Sequence, residues 1–181
     1  MTRNLITSAI AVVMFTLLLG LAYPLVVTGV AQVAFGDNAD GNRDLIAKDT
    51  KGDPRFFQPR PSQTGYDAQA TSFSNRGPNS SAARFFYRDQ LAAYLALNGP
   101  YDPGLTNATV PADAVTTSGS GVDPHISEAN AAIQARRVAR ERGVPLERIQ
   151  RLVHDSTDGR FLGIFGEPGV NTTKLNEALD R

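Results

Sequence analysis

NLITSAIAVVMFTLLLGLAYPLVVTGVAQVAFG, residues 4–36, contains no Asp, Glu, Lys or Arg. The hydrocarbon core of a bilayer takes about 20 mostly apolar residues in a helix, and Leu5 to Val27 meets that length. Only a helix satisfies all of its backbone groups within one such segment. Thr7, Ser8, Thr16 and Thr28 are tolerated there, and Gly20 and Pro24 are commoner in membrane helices than in soluble ones. Tyr23 and Pro24 are expected to mark a kink. The rival reading is a cleaved signal peptide, with Arg3 as its charged start and Gly29-Val30-Ala31 as a small-x-small cleavage site. A signal-peptide apolar region is usually about 7 to 15 residues, and this run is longer, so residues 1–36 read as an uncleaved anchor. Arg3 precedes the span while Asp37 and Asp40 follow it. The positive-inside rule therefore puts the N-terminus in the cytoplasm and residues 37–181 outside.

Residues 37–181 are enough for one ordinary domain with its own core. The chain carries 18 basic and 18 acidic residues, so net charge gives no case for nucleic acid. It has no cysteine, which excludes disulfides, thiol catalysis and cysteine-held metals. Its two histidines are His125 and His154.

No internal repeat is visible. Asp37 to Pro54 is polar and reads as a tether, with Leu45-Ile46-Ala47 as a short strand. Arg55 to Asn79 is rich in Pro, Ser, Gln and Asn and cannot run as helix or central strand. Its aromatics, Phe56, Phe57, Tyr66 and Phe73, point to an irregular segment packed on a core. Ser80 to Asn98 reads as a helix, with Ser81 as cap and Phe86, Leu91, Tyr94 and Leu95 near helical spacing. Thr109 to Thr117 is strand-like, with Pro111 suggesting an edge. Ser127 caps a helix to Arg142, with Ala129, Ala132, Ile133 and Ala139 on one side and Gly143 as its stop. Pro145 fits the first turn of the next helix. Phe161 to Phe165 reads as a short apolar strand. Asn171 caps the last helix, with Val170 stapled to Leu175. The soluble part is therefore α+β, without βαβ regularity.

Ser118-Gly119-Ser120-Gly121 is the sharpest local motif. Successive glycines can turn backbone N–H groups toward an anion. No Lys follows, so it is not a Gly-x-x-x-x-Gly-Lys phosphate loop, and a tight structural turn is the plainer reading. Asp123-Pro124-His125 follows directly. A serine nucleophile with His125 as base lacks the nucleophile-elbow pattern. A metal site from Asp123, His125 and His154 lacks ligand spacing. Arg136, Arg137, Arg140, Arg142, Arg148 and Arg151 are largely offset by Glu128, Glu141, Glu147 and Asp155, and read as a solvated helix face. Gln134, polar in mid-helix, reads as surface.

The longer motifs go further. Ala22-Tyr23-Pro24-Leu25 with Val27-Thr28-Gly29 resembles the anchor of the C subunit of the Kdp potassium-transporting P-type ATPase. So do Phe57-x-x-Arg60-Pro61-Ser62 and Ser74-Asn75-x-Gly77-Pro78-Asn79. The longest match is Val110-Pro111-x-Asp113-x-Val115-Thr116-x-Ser118-Gly119-Ser120-Gly121-x-Asp123-Pro124-His125-Ile126-Ser127. Arg137-Val138-Ala139-x-x-Arg142-Gly143 and Gly163-x-Phe165-Gly166-Glu167-Pro168-x-Val170-Asn171 extend it. Where the family usually has a Gly-Gly-Ser-Asn-type run, this chain has Ser72-Phe73-Ser74-Asn75.

The resemblance implies a non-catalytic accessory subunit of an ATP-driven, high-affinity potassium importer in the cell membrane. Its implied partners are a potassium-binding channel-like subunit, a P-type ATPase subunit and a small single-span subunit. No Asp-Lys-Thr-Gly phosphorylation motif occurs here. The family is described as a catalytic chaperone that raises the ATPase subunit's affinity for ATP. On that reading the nucleotide-binding positions are Gln134, Ser118, Gly119, Ser120 and Gly121. ATP is cytoplasmic, whereas the charges put the domain outside. The alternatives are an extracytoplasmic brace or gate beside the potassium entrance, a stand-alone anchored anion-binding domain using Ser118–Gly121, and a secreted hydrolase.

Overall fold

A computed structural model describes residues 2–36 and 43–181. It divides into two compact units, Met1–Arg43 and Asp44–Arg181. The first unit is one continuous 33-residue helix, Thr2–Ala34. At 1.5 Å per residue it runs about 50 Å, longer than the roughly 30 Å hydrocarbon core. It is built from α1 (Thr2–Leu17), a π turn (Leu18–Ala22) and α2 (Tyr23–Ala34). None of its residues is buried, and it is apolar all round, the pattern of a helix that needs an apolar surrounding. The expected kink at Tyr23-Pro24 takes the form of the π turn. Pro24 has no N–H, and its ring would collide with the carbonyl one turn back. Widening that turn, with the Tyr23 N–H donating to the Leu18 oxygen, accommodates the ring without breaking the helix.

The second unit is α+β. Its helices are α3 (Ser81–Asn98), α4 (Glu128–Arg142), α5 (Leu146–Asp155) and α6 (Thr172–Leu179). Its strands are β1 (His125–Ile126), β2 (Thr157–Asp158) and β3 (Gly169–Asn171), antiparallel in the order β1-β3-β2. His125 faces Asn171 and Ile126 faces Val170, while Thr157 faces Val170 and Asp158 faces Gly169.

Caps set the helix limits. Ser127 Oγ accepts from Asn130 N at 3.1 Å, and Gly143 closes α4 at φ 63°, the left-handed conformation in which glycine is unstrained. Asn171 Oδ1 accepts from Thr173 N and Lys174 N at 3.0 and 3.1 Å. Val170 and Leu175 flank that cap and are both fully buried in one cluster with Phe57, Ile126, Val138 and Ile149. Burying Phe57 alone is worth about 2–3 kcal/mol in transfer free energy.

Several sequence expectations are corrected. The first soluble helix is capped by Ser80, whose Oγ accepts from Ala83 N, and not by Ser81. Leu45-Ile46-Ala47 is not a strand. Arg43–Leu45 is a 3₁₀ turn, and Ala47 is buried with its N–H donating to the Val122 oxygen. The tether expected over Asp37 to Pro54 is thus part of the domain from Asp44 onward, while residues 37–42 lie outside the described residues. Thr109 to Thr117 is a turn and a 3₁₀ segment, Ala112–Ala114, because Pro111 and two short turns absorb its backbone bonds. Phe161 to Phe165 is a tight turn closed on itself by a single bridge.

The core face of α4 also differs. Ala129 and Ala132 are exposed, while Asn130, Gln134 and Arg137 are buried beside Ala131, Ala135 and Val138. The expected solvated arginine face fails at Arg137, which is fully buried. The expected surface position of Gln134 fails too, at 1% exposure. Both point at backbone that would otherwise be unbonded.

Candidate functional site

The turn Pro54–Phe56 leads into an extended stretch, Phe57–Gln58, held between α4 and α6. In an extended chain the N–H and C=O of one residue point to the same side, and those of the next residue to the other. Two side-chain amides exploit this. Asn176 of α6 accepts from Phe57 N at 2.8 Å and donates to Phe57 O at 2.9 Å. Gln134 of α4 accepts from Gln58 N at 2.7 Å and donates to Gln58 O at 3.1 Å. Each amide imitates the edge of a neighbouring strand.

Gln134 is further engaged on both ends. Its Nε2 donates to Asn130 Oδ1 at 2.9 Å, and its Oε1 accepts from Arg137 Nη2 at 3.0 Å. An amide offers two donors and an oxygen with two lone pairs, so all four capacities are used. Arg137 also donates to Pro54 O at 3.0 Å, Phe56 O at 2.7 Å and Asn98 Oδ1 at 2.6 Å. Burial pulls its guanidinium down to about 10, which leaves it charged at neutral pH. Tyr94, whose phenol burial pushes up, donates to Asn130 Oδ1 at 2.9 Å. Asn130 Nδ2 donates to Asp113 Oδ2 at 2.9 Å, and Asp113 accepts from Ser127 N and Oγ, both at 2.8 Å. The result is one buried polar network from α3 through α4 to Pro54–Gln58. Gln134 also borders a cavity of about 240 Å³ with Tyr66, Gln90 and Tyr94.

The Ser118–Gly121 loop lies elsewhere, and none of its residues lines that cavity. Ser118 is buried, with Oγ accepting from Gly121 N at 3.0 Å. Ser120 Oγ accepts from Val122 N at 3.2 Å, and Ser120 O from Ser72 N at 2.9 Å. Ser62 Oγ donates to Gly121 O. Arg60 Nη2 donates to Thr117 O at 2.9 Å. These bonds stitch the loop to residues 60–72.

His125 joins the outer strands. Its Nδ1 is 3.0 Å from Asp123 Oδ1 and its Nε2 is 2.9 Å from Asp158 Oδ2. Lys174 Nζ lies 3.4 Å from Asp158 Oδ1. Gly169 opens room for the ring, since a Cβ there would lie 3.2 Å from His125 Cβ. Two carboxylates can both be satisfied only by an imidazolium, because a neutral ring has one N–H. The bond to Asp123 raises the His125 pKa, burial opposes it, and the bond to Asp158 adds to it. The bond from His125 holds Asp123 below the ordinary carboxylate value. Burial pushes Asp158 upward, and His125 and Lys174 together outweigh it. Asp113, Glu167 and Arg60 line the same depression.

This has a pH consequence. The stabilising contribution of His125 is complete below its unfolded value near 6.5 and is lost as pH rises through the higher folded value. That of Asp123 and Asp158 is present above about 3.8 and is lost as pH falls through their lower folded values. The link is therefore strongest from about pH 4 to pH 6.5. The melting temperature of the full chain should fall from pH 6.5 to pH 9, and His125→Gln should flatten that fall. An unchanged slope in the variant would disprove the link.

Among the described residues the ring nitrogens of His125 are bonded to Asp123 and Asp158 and to no serine hydroxyl, so the hydrolase constellation is not assembled there. Among the described residues, no group of three or more His, Asp or Glu side chains is gathered for a metal ion. Sequence reading missed Asp113, Asn98, Asn130, Asp158 and Asn176. The available signal was Asn130, Gln134 and Arg137 at i, i+4 and i+7, one helix face.

The whole chain can be set beside known proteins. Residues 5–181 match the family described as KdpC: K+-transporting ATPase, c chain. The chain belongs to the KdpC family. A potassium-transporting ATPase KdpC subunit of Mycobacterium bovis is 43% identical over 193 residues, covering 100% of both chains. KdpC subunits of a Caulobacter species and of Rhodospirillum rubrum are 43% and 44% identical, covering 99% of this chain and 94% and 96% of theirs. KdpC membership thus embraces the helix Thr2–Ala34, from residue 5 on, as well as the buried network.

Proposed function

We propose that this chain is a non-catalytic accessory subunit of a K+-transporting ATPase that braces the assembled complex. The end-to-end similarity to KdpC subunits carries this reading. On it, Thr2–Ala34 spans the cell membrane with its N-terminus in the cytoplasm, and residues 44–181 lie outside near the potassium entrance. The partners are a channel-like potassium-binding subunit, a P-type ATPase subunit and a small single-span subunit. Packing of the anchor in the membrane couples the chain to them. The closed hydrogen bonding of Gln134 and the inward-tied Ser118–Gly121 loop support a brace better than a nucleotide grip.

A second reading is favoured by one observation, the cavity that Gln134 borders with Tyr94 and Gln90. There the chain acts as a catalytic chaperone that raises the ATPase subunit's affinity for ATP, with Gln134 and Ser118–Gly121 as nucleotide contacts. Gln134→Ala separates the two. As a brace residue it strands Gln58 N–H and C=O, and the chain should lose about 2–4 kcal/mol. The yield of assembled complex falls, while the KM for ATP of the complex that does assemble is unchanged. A raised KM with intact assembly would favour the chaperone instead.

A further inference from the structure

A cavity of about 370 Å³ opens where the turn between α4 and α5 meets the end of α6. Small-molecule sites run from about 300 to 1,000 Å³. Val144, Leu152 and Leu179 give it apolar walls, and all three pack partly buried against the core. Its polar wall is arginine. Arg142 Nε donates to Arg55 O at 2.7 Å, Nη1 to Leu179 O at 2.9 Å and Nη2 to Asp180 Oδ1 at 2.9 Å. The same guanidinium lies over the Phe56 ring, 4.7 Å from its centroid, and the side chain is only 18% exposed. A guanidinium carries five N–H donors, so two remain on a group already fixed in place. Arg148 lines the same cavity. Among the described residues its side chain has no hydrogen bond, ion pair or ring contact.

The charges of the lining set the charge of the ligand. Arg55 is paired with Asp53 at 2.7 Å and Arg142 with Asp180 at 2.9 Å. Among the described residues of the lining, Arg148 is the cation left without a counter-charge. The cavity thus offers one uncompensated positive charge, spare donors on a fixed guanidinium and apolar walls. We propose that it binds a small organic monoanion, a carboxylate carrying an apolar group. The carboxylate sits between Arg142 and Arg148, and the apolar group lies against Leu152 and Leu179. Hydrogen bonds from arginine to a carboxylate are charge-assisted and about twice as strong as neutral ones. A neutral amide of the same shape would leave Arg148 unanswered. A bare anion would leave the apolar walls wet. The site lies wholly within residues 44–181 and does not depend on the reading of the chain as a transporter subunit.

The chain has no tryptophan, so Phe56→Trp puts a unique reporter on the cavity wall. The full chain in maltoside micelles is titrated with 4-phenylbutyrate, with its neutral amide 4-phenylbutyramide and with acetate. The expected result is a saturable change in indole emission with 4-phenylbutyrate, half-complete at about 1 mM, and none in that range with the amide or acetate. In the same reporter background Arg148→Gln should raise the half-point at least about fivefold. Arg151→Gln removes a charge that is exposed on α5 outside the cavity, and should leave the half-point within about twofold. An equal response to the amide would overturn the proposal, as would equal effects of the two arginine substitutions or no saturation by about 20 mM. The unsubstituted chain gives a second reading that stands even where Phe56→Trp fails to fold. Its melting temperature should rise with 4-phenylbutyrate and not with the amide, and no rise would overturn the proposal.

Discussion

Arg137→Met should destabilise the chain by about 3–5 kcal/mol, the range for breaking a buried charged network. The arginine is fully buried, and among the described residues it has no carboxylate partner at hydrogen-bond distance. Its partners are the carbonyls of Pro54 and Phe56 and the amide oxygens of Asn98 and Gln134. Methionine fills much of the volume but donates nothing. The two backbone carbonyls cannot be removed, so they stay buried and unbonded at about 1–3 kcal/mol each. Arg137→Lys should recover only part of the loss, because a single ammonium cannot reproduce the planar fork that reaches four acceptors. The measurement is urea unfolding of the detergent-solubilised full chain, followed by tyrosine fluorescence. A loss below about 1 kcal/mol, the ordinary surface-mutation scale, would mean that the network is not what fixes Pro54–Gln58 to α4.

Gly121→Ala should be nearly as damaging, at about 2–4 kcal/mol. Gly121 has φ +78°, and a Cβ there would stand 2.8 Å from Ser72 O and 2.9 Å from Thr64 Oγ1. The first of these is backbone, and it belongs to a residue whose own N–H is held by Ser120 O. The loop cannot retreat without giving up that bond and the Ser62 contact. Gly119→Ala is the control, since a Cβ there meets nothing within 4 Å, and it should cost less than about 1 kcal/mol. Equal effects at the two positions would contradict the close approach.

The parts legible in the sequence were those set by strong local chemistry. The charge-free run gave a single long helix, and Pro24 announced its irregular turn. Ser127, Gly143 and Asn171 marked helix ends because a cap is a contact within one turn. The strands were not legible. At two or three residues each they carry no period-2 signal, and β1 and β2 exist only because β3 bonds both. Phe161–Phe165 read as a short apolar strand, yet it is an exposed turn, because hydrophobicity alone does not say which apolar residues go inside. Arg137 and Gln134 were assigned to the surface for the converse reason. Their burial depends on Pro54–Gln58, which lies some eighty residues earlier in the chain and offers bare backbone to be satisfied. The Gln134 and Ser118–Gly121 motifs were visible by resemblance, but their hydrogen-bond partners, Gln58, Asn130, Ser72 and Ser62, come from the fold.

As proposed above, this chain braces a potassium-transporting complex without carrying its chemistry. The most direct test is potassium-stimulated ATP hydrolysis by complex purified from cells with and without the chain. The expected result is that omitting the chain sharply lowers both the recovered complex and its potassium-stimulated rate, and that adding the gene back restores them. A complex lacking the chain that assembles in full yield and hydrolyses ATP with unchanged potassium dependence would contradict it.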